Sequence, residues 1–285
     1  MLHAWRHLHE TYLVQEMRGL SAPHGLITEI TVREGPGALA ARSVNLSVLN
    51  LVLGYNGTGK STLLDLLAGA AQPGLLAERQ WFGRLAADIH WFDPMPHTLR
   101  LQAQDGRIKF RLDHKPMPFL PAPYRSIVVR NPRRRVRDFR DLAELLGLDV
   151  TTFLNLLLEV PDRVFGTVLR VEVINDAPVV QLAYWPEAIS LADDASPMAL
   201  WTVLFESAIA LAQVSSEAGP TLLLIDDFGD FLHQKLVHEM FQLLTERTQG
   251  FQTVVVTHCL LPGEIRKRWS ITSFLDEDHA RLVLS

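Results

Sequence analysis

Cysteine is nearly absent: Cys259 is the only one in a chain of 285 residues. No disulfide can close within it, which fits a reducing, cytoplasmic setting. Cys259 also finds no second cysteine with which to form a thiolate metal site. A strong charge of one sign is missing too. Lys and Arg number 27 against 32 Asp and Glu, a formal charge of −5. Such a balance excludes a globally basic nucleic-acid binder, so any basic surface must be local. No run approaches the ~18 consecutive apolar residues of a membrane helix. Met1 to Glu10 carries His3, Arg6, His7, His9 and Glu10 instead of the apolar stretch of a signal peptide. A soluble protein without membrane insertion is expected. Repeats, heptads and low-complexity tracts are missing, as are a base-reading Asn-Lys-x-Asp motif and a nucleophile triad. What the chain has is apolar content, 48% of residues, enough for one large α/β domain or a domain with a smaller inserted lobe.

The pattern of that apolar content changes along the chain. Leu26 to Arg33 and Ala38 to Leu46 read as strands separated by Gly35-Pro36-Gly37. Val48 to Leu53 is almost wholly apolar, as a buried parallel strand requires, and a helical pattern of Leu63, Leu64, Leu67 and Ala68 starts near Lys60. Thr98 to Gln104 and Arg107 to Asp113 alternate around Asp105-Gly106, a hairpin signal. Lys115 to Tyr124, with Pro116, Pro118, Pro121 and Pro123, reads as an irregular connection. Ser126 to Arg130 reads as a strand, Asp138 to Leu146 and Thr151 to Leu158 as helices, and Val168 to Ile174 with Val179 to Trp185 as a second hairpin. The last third alternates again. Helices are expected over Pro197 to Val214 and Phe231 to Arg247. Buried strands are expected at Leu222 to Ile225 and Thr253 to Val256, and short strands at Ile271 to Leu275 and Arg281 to Leu284. The expected fold is therefore α/β: one domain over 1–285 whose two halves are separated by an inserted β-hairpin and helical lobe over 75–188.

Three motifs carry the chemistry. Gly54-Tyr55-Asn56-Gly57-Thr58-Gly59-Lys60-Ser61 matches Gly, four residues, then Gly-Lys-Ser. Glycines let the backbone curl so that successive N–H groups face phosphate oxygens, and the following helix turns its N-terminus to the same anion. Lys60 supplies a point charge for the β and γ phosphates, and the Ser61 hydroxyl a ligand for Mg2+. Thr221 to Asp227 is an apolar strand ending in Asp226 and Asp227, where a first acid holds the metal shell and a second orients the attacking water. Thr253 to His258 is another buried strand with a polar end, which places His258 where ligands of open α/β sheets bind.

Together these motifs resemble the ABC-class P-loop ATPases, most of all the soluble RecF, SMC and OLD-type group. The loop Gly-Tyr-Asn-Gly-Thr-Gly-Lys-Ser, the run Leu224-Ile225-Asp226-Asp227-Phe228-Gly229-Asp230-Phe231-Leu232-His233 and Val255-Val256-Thr257-His258 carry the likeness. It covers about Ile27 to Ala70 and Ser196 to Leu284 and leaves the middle poorly matched. The resemblance implies an ABC-type nucleotide-binding domain with N-terminal β-strands. It implies ATP and Mg2+ held by Gly54, Asn56, Gly57, Thr58, Gly59, Lys60, Ser61 and Thr62, with Ser61 and Asp226 on the metal. Asp227 would act on water and His258 would sense the γ phosphate. Two copies would sandwich two ATP molecules, and a partner protein would carry any effector activity, in DNA repair or phage defence.

Three departures from that family stand out. Its catalytic glutamate is Asp227 here, one methylene shorter, which implies slow turnover. Its Leu-Ser-Gly-Gly-Gln signature is missing. The positional candidate is Ala195-Ser196-Pro197-Met198, where Ser196 either offers its hydroxyl to a partner's phosphate or simply caps a helix. The family's Q-loop glutamine has candidates in Gln80, Gln102 and Gln104 and no clear place. Arg130, Arg133, Arg134, Arg135, Arg137 and Arg140 form a basic cluster that could neutralise nucleic-acid phosphates, or could be a solvated lobe face or pair with acids on a partner. Trp81, Phe82, Trp91 and Phe92 fit core or partner packing better than base stacking. A nucleotide-gated dimerisation module with little turnover and a transporter's ATPase subunit are the alternative readings. A nuclease half of the OLD type would need a further C-terminal domain.

Overall fold

The structure is a computed structural model that describes residues 26–35, 39, 42–55, 57–71, 84–92, 95–104, 107–117, 125–130, 136–192, 195–228, 234–248, 250–258 and 263–274. In chain order the elements begin β1 (Leu26–Glu34), β2 (Arg42–Asn45), β3 (Leu49–Leu53), α1 (Lys60–Ala71), β4 (Leu85–Phe92), β5 (Pro96–Gln104), β6 (Arg107–Leu112), β7 (Lys115–Met117) and β8 (Arg125–Val129). They continue with α2 (Phe139–Leu145), α3 (Val150–Val164), β9 (Val168–Ile174), β10 (Ala177–Leu182), β11 (Ile189–Ser190) and α4 (Pro197–Ala218). The last are β12 (Thr221–Phe228), α5 (Gln234–Arg247), β13 (Gln252–Thr257), α6 (Gly263–Arg266) and β14 (Ser270–Ser273).

The centre is a parallel sheet in the order β14-β3-β13-β12-β8. Its inner strands are apolar on both faces because both are covered. Leu222, Leu224, Val254, Val256 and Val52 face one cluster, which holds α1 and an antiparallel sheet ordered β2-β1-β4-β5-β6-β7. Leu223, Ile225, Val255, Leu51 and Leu53 face the other, packed against α2 to α5 and a small sheet ordered β11-β10-β9. The period-2 alternation is what separates the two cores.

Buried amides tie the layers together. Gln252 on β13 accepts from Ile27 N at 3.1 Å and donates to Ile27 O at 2.8 Å and Ser47 O at 2.7 Å. Asn50 on β3 accepts from Ser47 N and donates to Ser47 O, both at 2.6 Å, and donates to Thr253 O at 3.0 Å. Each bonds main-chain groups of a neighbouring strand or loop, leaving its own buried amide satisfied.

Several expectations need correction. The stretch 75–188 is not one lobe: β4 pairs with β1, β5 to β7 extend that N-terminal sheet, and β8 is an edge of the parallel sheet. Only the part from α2 to β11 stands on the helical side. Strand β4 was not expected, because its alternation is broken by Asp88, a buried carboxylate paired with Arg33 and Arg100. Burial alone would raise the Asp88 pKa, but the two guanidiniums outweigh it and hold it below the usual range. Helix α3 continues past Pro161 to Val164, since Val160 and Val164 bury in the core beyond the lost hydrogen bond. Lys115–Met117 is a strand within the stretch read as irregular. Helix α4 is long and apolar enough to cross a membrane, contrary to the expectation that no run is, but 78% of that stretch is buried inside the protein. The expected strand Arg281 to Leu284 lies outside the described residues.

Candidate nucleotide-binding site

Strand β3 is buried throughout and stops at Gly54. A Cβ there would lie 2.8 Å from both the Phe274 Cβ and the Thr58 Oγ1, so only glycine lets the loop turn this tightly. The loop closes on itself: Thr58 N and Thr58 Oγ1 both donate to Tyr55 O, at 3.3 and 2.9 Å. Gly57 and Gly59 take left-handed φ values of 81° and 95°, where a side chain would be strained. Helix α1 then starts at Lys60, its first closing bond running from Leu63 N to Gly59 O at 2.9 Å. Asn56 lies outside the described residues.

Lys60 is only 5% exposed. Its ammonium donates to Gly54 O at 2.8 Å and Tyr55 O at 2.7 Å, so the charge is held inside the curl of the loop. Ser61 follows in the first turn of α1 and donates through Oγ to Asp226 Oδ1 at 3.2 Å. The sequence-predicted metal pair, 165 residues apart, is thus in direct contact. Thr62 is half-buried one step further on.

The acids sit on an irregularity. Strand β12 keeps register with β13 from Leu222 to Ile225, then Ile225 pairs with Val255 and Phe228 with Thr257. Three steps on β12 therefore span two on β13, a bulge made by Asp226 and Asp227. Asp227 adopts φ 52°, left-handed for a residue that is not glycine. Beyond it Phe228 returns to the core between Phe205 and Phe241, and Thr257 Oγ1 donates to Phe228 O at 2.5 Å. The strand resumes below the acids, so the bulge is clamped from both sides.

Asp226 is 7% exposed. Burial pushes its carboxyl above the usual range and the neighbouring Asp227 adds to this, while Ser61 and Arg130 act in the opposite sense. Arg130 follows β8, whose Val129 pairs with Ile225, so it stands beside Asp226 at the sheet end. Its guanidinium is bonded to Asp65 on α1, a carboxylate with 3% side-chain exposure. The pair ties β8 to helix α1. Sequence reading placed Arg130 in a surface cluster and missed Asp65, although an aspartate inside Leu63-Leu64-Asp65-Leu66-Leu67 was a signal. Arg137 pairs with Asp141, and Arg140 pairs with Asp138 and lies over Phe139. The described arginines of the cluster are thus matched by carboxylates of the same chain. Arg133, Arg134 and Arg135 lie outside the described residues, as do Gln80, Trp81, Phe82 and Cys259.

His258 follows β13 and is exposed at the same sheet end, since Thr257 pairs with both Leu53 and Phe228. Ser196 is at the N-cap position of α4 but makes no side-chain capping bond, so the simple capping role is not the one observed. Phe205 packs on Phe228, and Ser196 lies about 13 Å further along the helix at ~1.5 Å per residue, past the end of β12. It does not join the loop's hydrogen bonds among the described residues. Gln102 and Gln104 are on β5, in the antiparallel sheet. Trp91 is buried in that sheet's core, as expected.

Among the described residues no three His, Cys, Asp or Glu side chains gather around one point. A serine hydroxyl and one carboxylate suit Mg2+, which keeps several waters and takes further oxygens from phosphates.

The same arrangement of sheets and helices is found in solved structures. The Smc head domain with an extended coiled coil bound to the C-terminal domain of ScpA, from Pyrococcus furiosus, superimposes with a TM-score of 0.58 at 12% identity, over 91% of this chain and 98% of that one. SmcHead bound to the C-winged helix domain of ScpA gives 0.53 at 13%, over 88% and 94%. The recombination mediator RecF with ATP, of the RecFOR pathway, gives 0.53 at 12%, over 83% and 92%. The chain has the α/β fold that these Smc heads and RecF share. No protein-family model matches the chain, and no curated protein matches it in sequence. In this chain the glycine-rich loop after β3, the paired acids and the polar end of β13 share one edge of the sheet, set by the registers of β3, β13 and β12.

Proposed function

We propose that this chain binds ATP with Mg2+ and hydrolyses it, as the ATPase of an assembly working in the cytoplasm. The observation that carries the reading is the Ser61–Asp226 hydrogen bond, which joins the helix behind the phosphate loop to the acidic strand end beside a buried Lys60. The loop amides between Gly54 and Ser61, including Asn56, Gly57, Thr58 and Gly59, bind phosphate oxygens. The Lys60 ammonium trades loop carbonyls for the β and γ phosphates. Ser61 and Asp226 hold the metal, with Thr62 beside them. When bound, Mg2+ would neutralise negative charge that builds on the phosphates. Asp227, aimed by its bulge, accepts the proton of the attacking water, and His258 contacts the γ phosphate. With one methylene less than glutamate, Asp227 gives slow turnover.

The dimer belongs to the same proposal. Two copies face each other across their sheet ends, and Ser196, whose hydroxyl makes no cap, offers a donor to the nucleotide of the other copy. RecF binds ATP, and the two Smc heads bind parts of ScpA. By the shared fold, a DNA-repair or defence role with a separate partner protein is the reading we favour. The test is Mg2+-dependent phosphate release by the purified chain, absent in Lys60→Ala and Asp227→Asn. Wild-type protein that does not bind ATP would exclude the proposal. The short Asp227 side chain and the missing signature glycines also favour a second reading, a nucleotide-gated dimer with negligible turnover. It is distinguished by ATP-dependent dimerisation on a sizing column without phosphate release.

A further inference from the structure

Strand β9 is an edge of its three-stranded sheet and pairs with β10 alone among the described residues. Exposed edges usually carry charged side chains, lysine above all, proline or a bulge that discourages pairing. Strand β9 has no lysine or proline, its bulge is the extra residue Leu169 just before Arg170, and its charges, Arg170 and Glu172, are of opposite sign. Leu169, Val173 and Ile174 are 55%, 43% and 49% exposed. Arg170 and Glu172, with side chains 75% and 45% exposed, are bonded to each other along one face.

The direction of the main chain follows from the turn. Asn175 and Asp176 have φ values of 53° and 61°, the two-residue hairpin geometry in which the flanking residues exchange hydrogen bonds. Ile174 therefore bonds to Ala177, and by alternation Glu172 and Arg170 also turn their N–H and C=O groups toward β10. Val171 and Val173 turn theirs outward. The edge is held rigidly: buried Glu206 accepts from Thr167 N at 2.5 Å and Val168 N at 3.0 Å.

We propose that β9 is a self-association edge, paired antiparallel with β9 of a second copy and centred on Val171. In this register Val171 meets its counterpart through outward main-chain groups. Arg170 lies opposite Glu172 of the second copy, and Glu172 opposite Arg170, in positions that are not hydrogen-bonded and so bring side chains closest. Charge selects the register. A centre on Glu172 would oppose two glutamates, a centre on Arg170 two arginines, and parallel in-register pairing would set like charges side by side. The contact is short, so the dimer is weak and concentration-dependent. It does not depend on the nucleotide reading.

Sedimentation velocity of the full chain without nucleotide, across a concentration series, tests it. Wild-type protein should show reversible monomer–dimer exchange. Arg170→Glu and Glu172→Arg should each weaken it about tenfold or more, since both cross-strand pairs become repulsive. Mixing the two variants should restore a heterodimer, and R170E/E172R should dimerise like wild type. Circular dichroism should show every variant folded, because both side chains are exposed. With ATP added, R170E should keep any nucleotide-dependent dimer, which separates the two interfaces. A wild-type chain that stays monomeric, single variants that dimerise undiminished, or a mixture that fails to associate would overturn the proposal.

Discussion

The left-handed backbone at Asp227 allows the link between strain and activity to be measured. At φ 52° a residue with a Cβ is strained, by about 1–2 kcal/mol, with aspartate toward the low end. Asp227→Gly and Asp227→Ala remove the same carboxylate and differ mainly in how they tolerate this conformation. Glycine relieves the strain but adds ~0.5–1 kcal/mol of unfolded-state freedom. Alanine keeps the strain and loses what tolerance the aspartate side chain provides. The glycine variant should therefore be more stable than the alanine variant by about 1 kcal/mol, or roughly 2–4 °C in Tm for a domain of this size. Against wild type, glycine should be neutral to slightly stabilising. Neither variant should release phosphate from ATP. Urea unfolding with a parallel phosphate-release assay reads both quantities. Equal stability of the two variants, or a more stable alanine variant, would refute the strained bulge. Wild-type turnover in either would refute its purpose.

Further outcomes follow from the buried charges and amides. Arg130→Met should destabilise the fold by about 2–3 kcal/mol, below the 3–5 expected for a fully buried pair because the arginine is partly solvated, and Arg130→Met with Asp65→Leu should recover most of it in urea melts. Gln252→Leu should cost about 2–4 kcal/mol by stranding the N–H and C=O of Ile27, with a larger loss than Gln252→Glu at low pH. Burial raises the pKa of Asp226 in the folded state. Its contribution to stability without nucleotide is therefore full below the ordinary carboxylate pKa and lost as pH rises through the raised value. Asp226→Asn should flatten that slope in thermal melts and raise neutral-pH stability while weakening Mg2+-dependent ATP binding.

Much of the site was legible because its parts are local. A buried strand, a glycine-rich turn and a leucine-rich helix mark the candidate loop, and β3, Gly54 and α1 fall where they were expected. Strand β12 was also foreseen, with Asp226 and Asp227 at its end, but not its bulge or its continuation to Phe228. The extra residue that carries the chain on to Phe228 leaves no local mark, because it exists to seat Phe228 between Phe205 and Phe241. The Asp65–Arg130 pair joins positions 65 residues apart, beyond the reach of periodicity. Strand β4 hid for a related reason, its central Asp88 being buried only because arginines on β1 and β5 meet it. Hairpin signals found β5 and β6 yet could not tell which sheet they would extend, and so suggested a lobe where there is a continuous antiparallel sheet.

Isothermal titration of the chain with ATP in the presence and absence of Mg2+, repeated on Lys60→Ala, is the most direct trial of the nucleotide site. Saturable, magnesium-strengthened binding by wild-type protein and its loss in the variant is the expected result. Wild-type protein that gives no binding heat and no change in melting temperature with ATP, or a Lys60→Ala variant that binds as tightly, would contradict it.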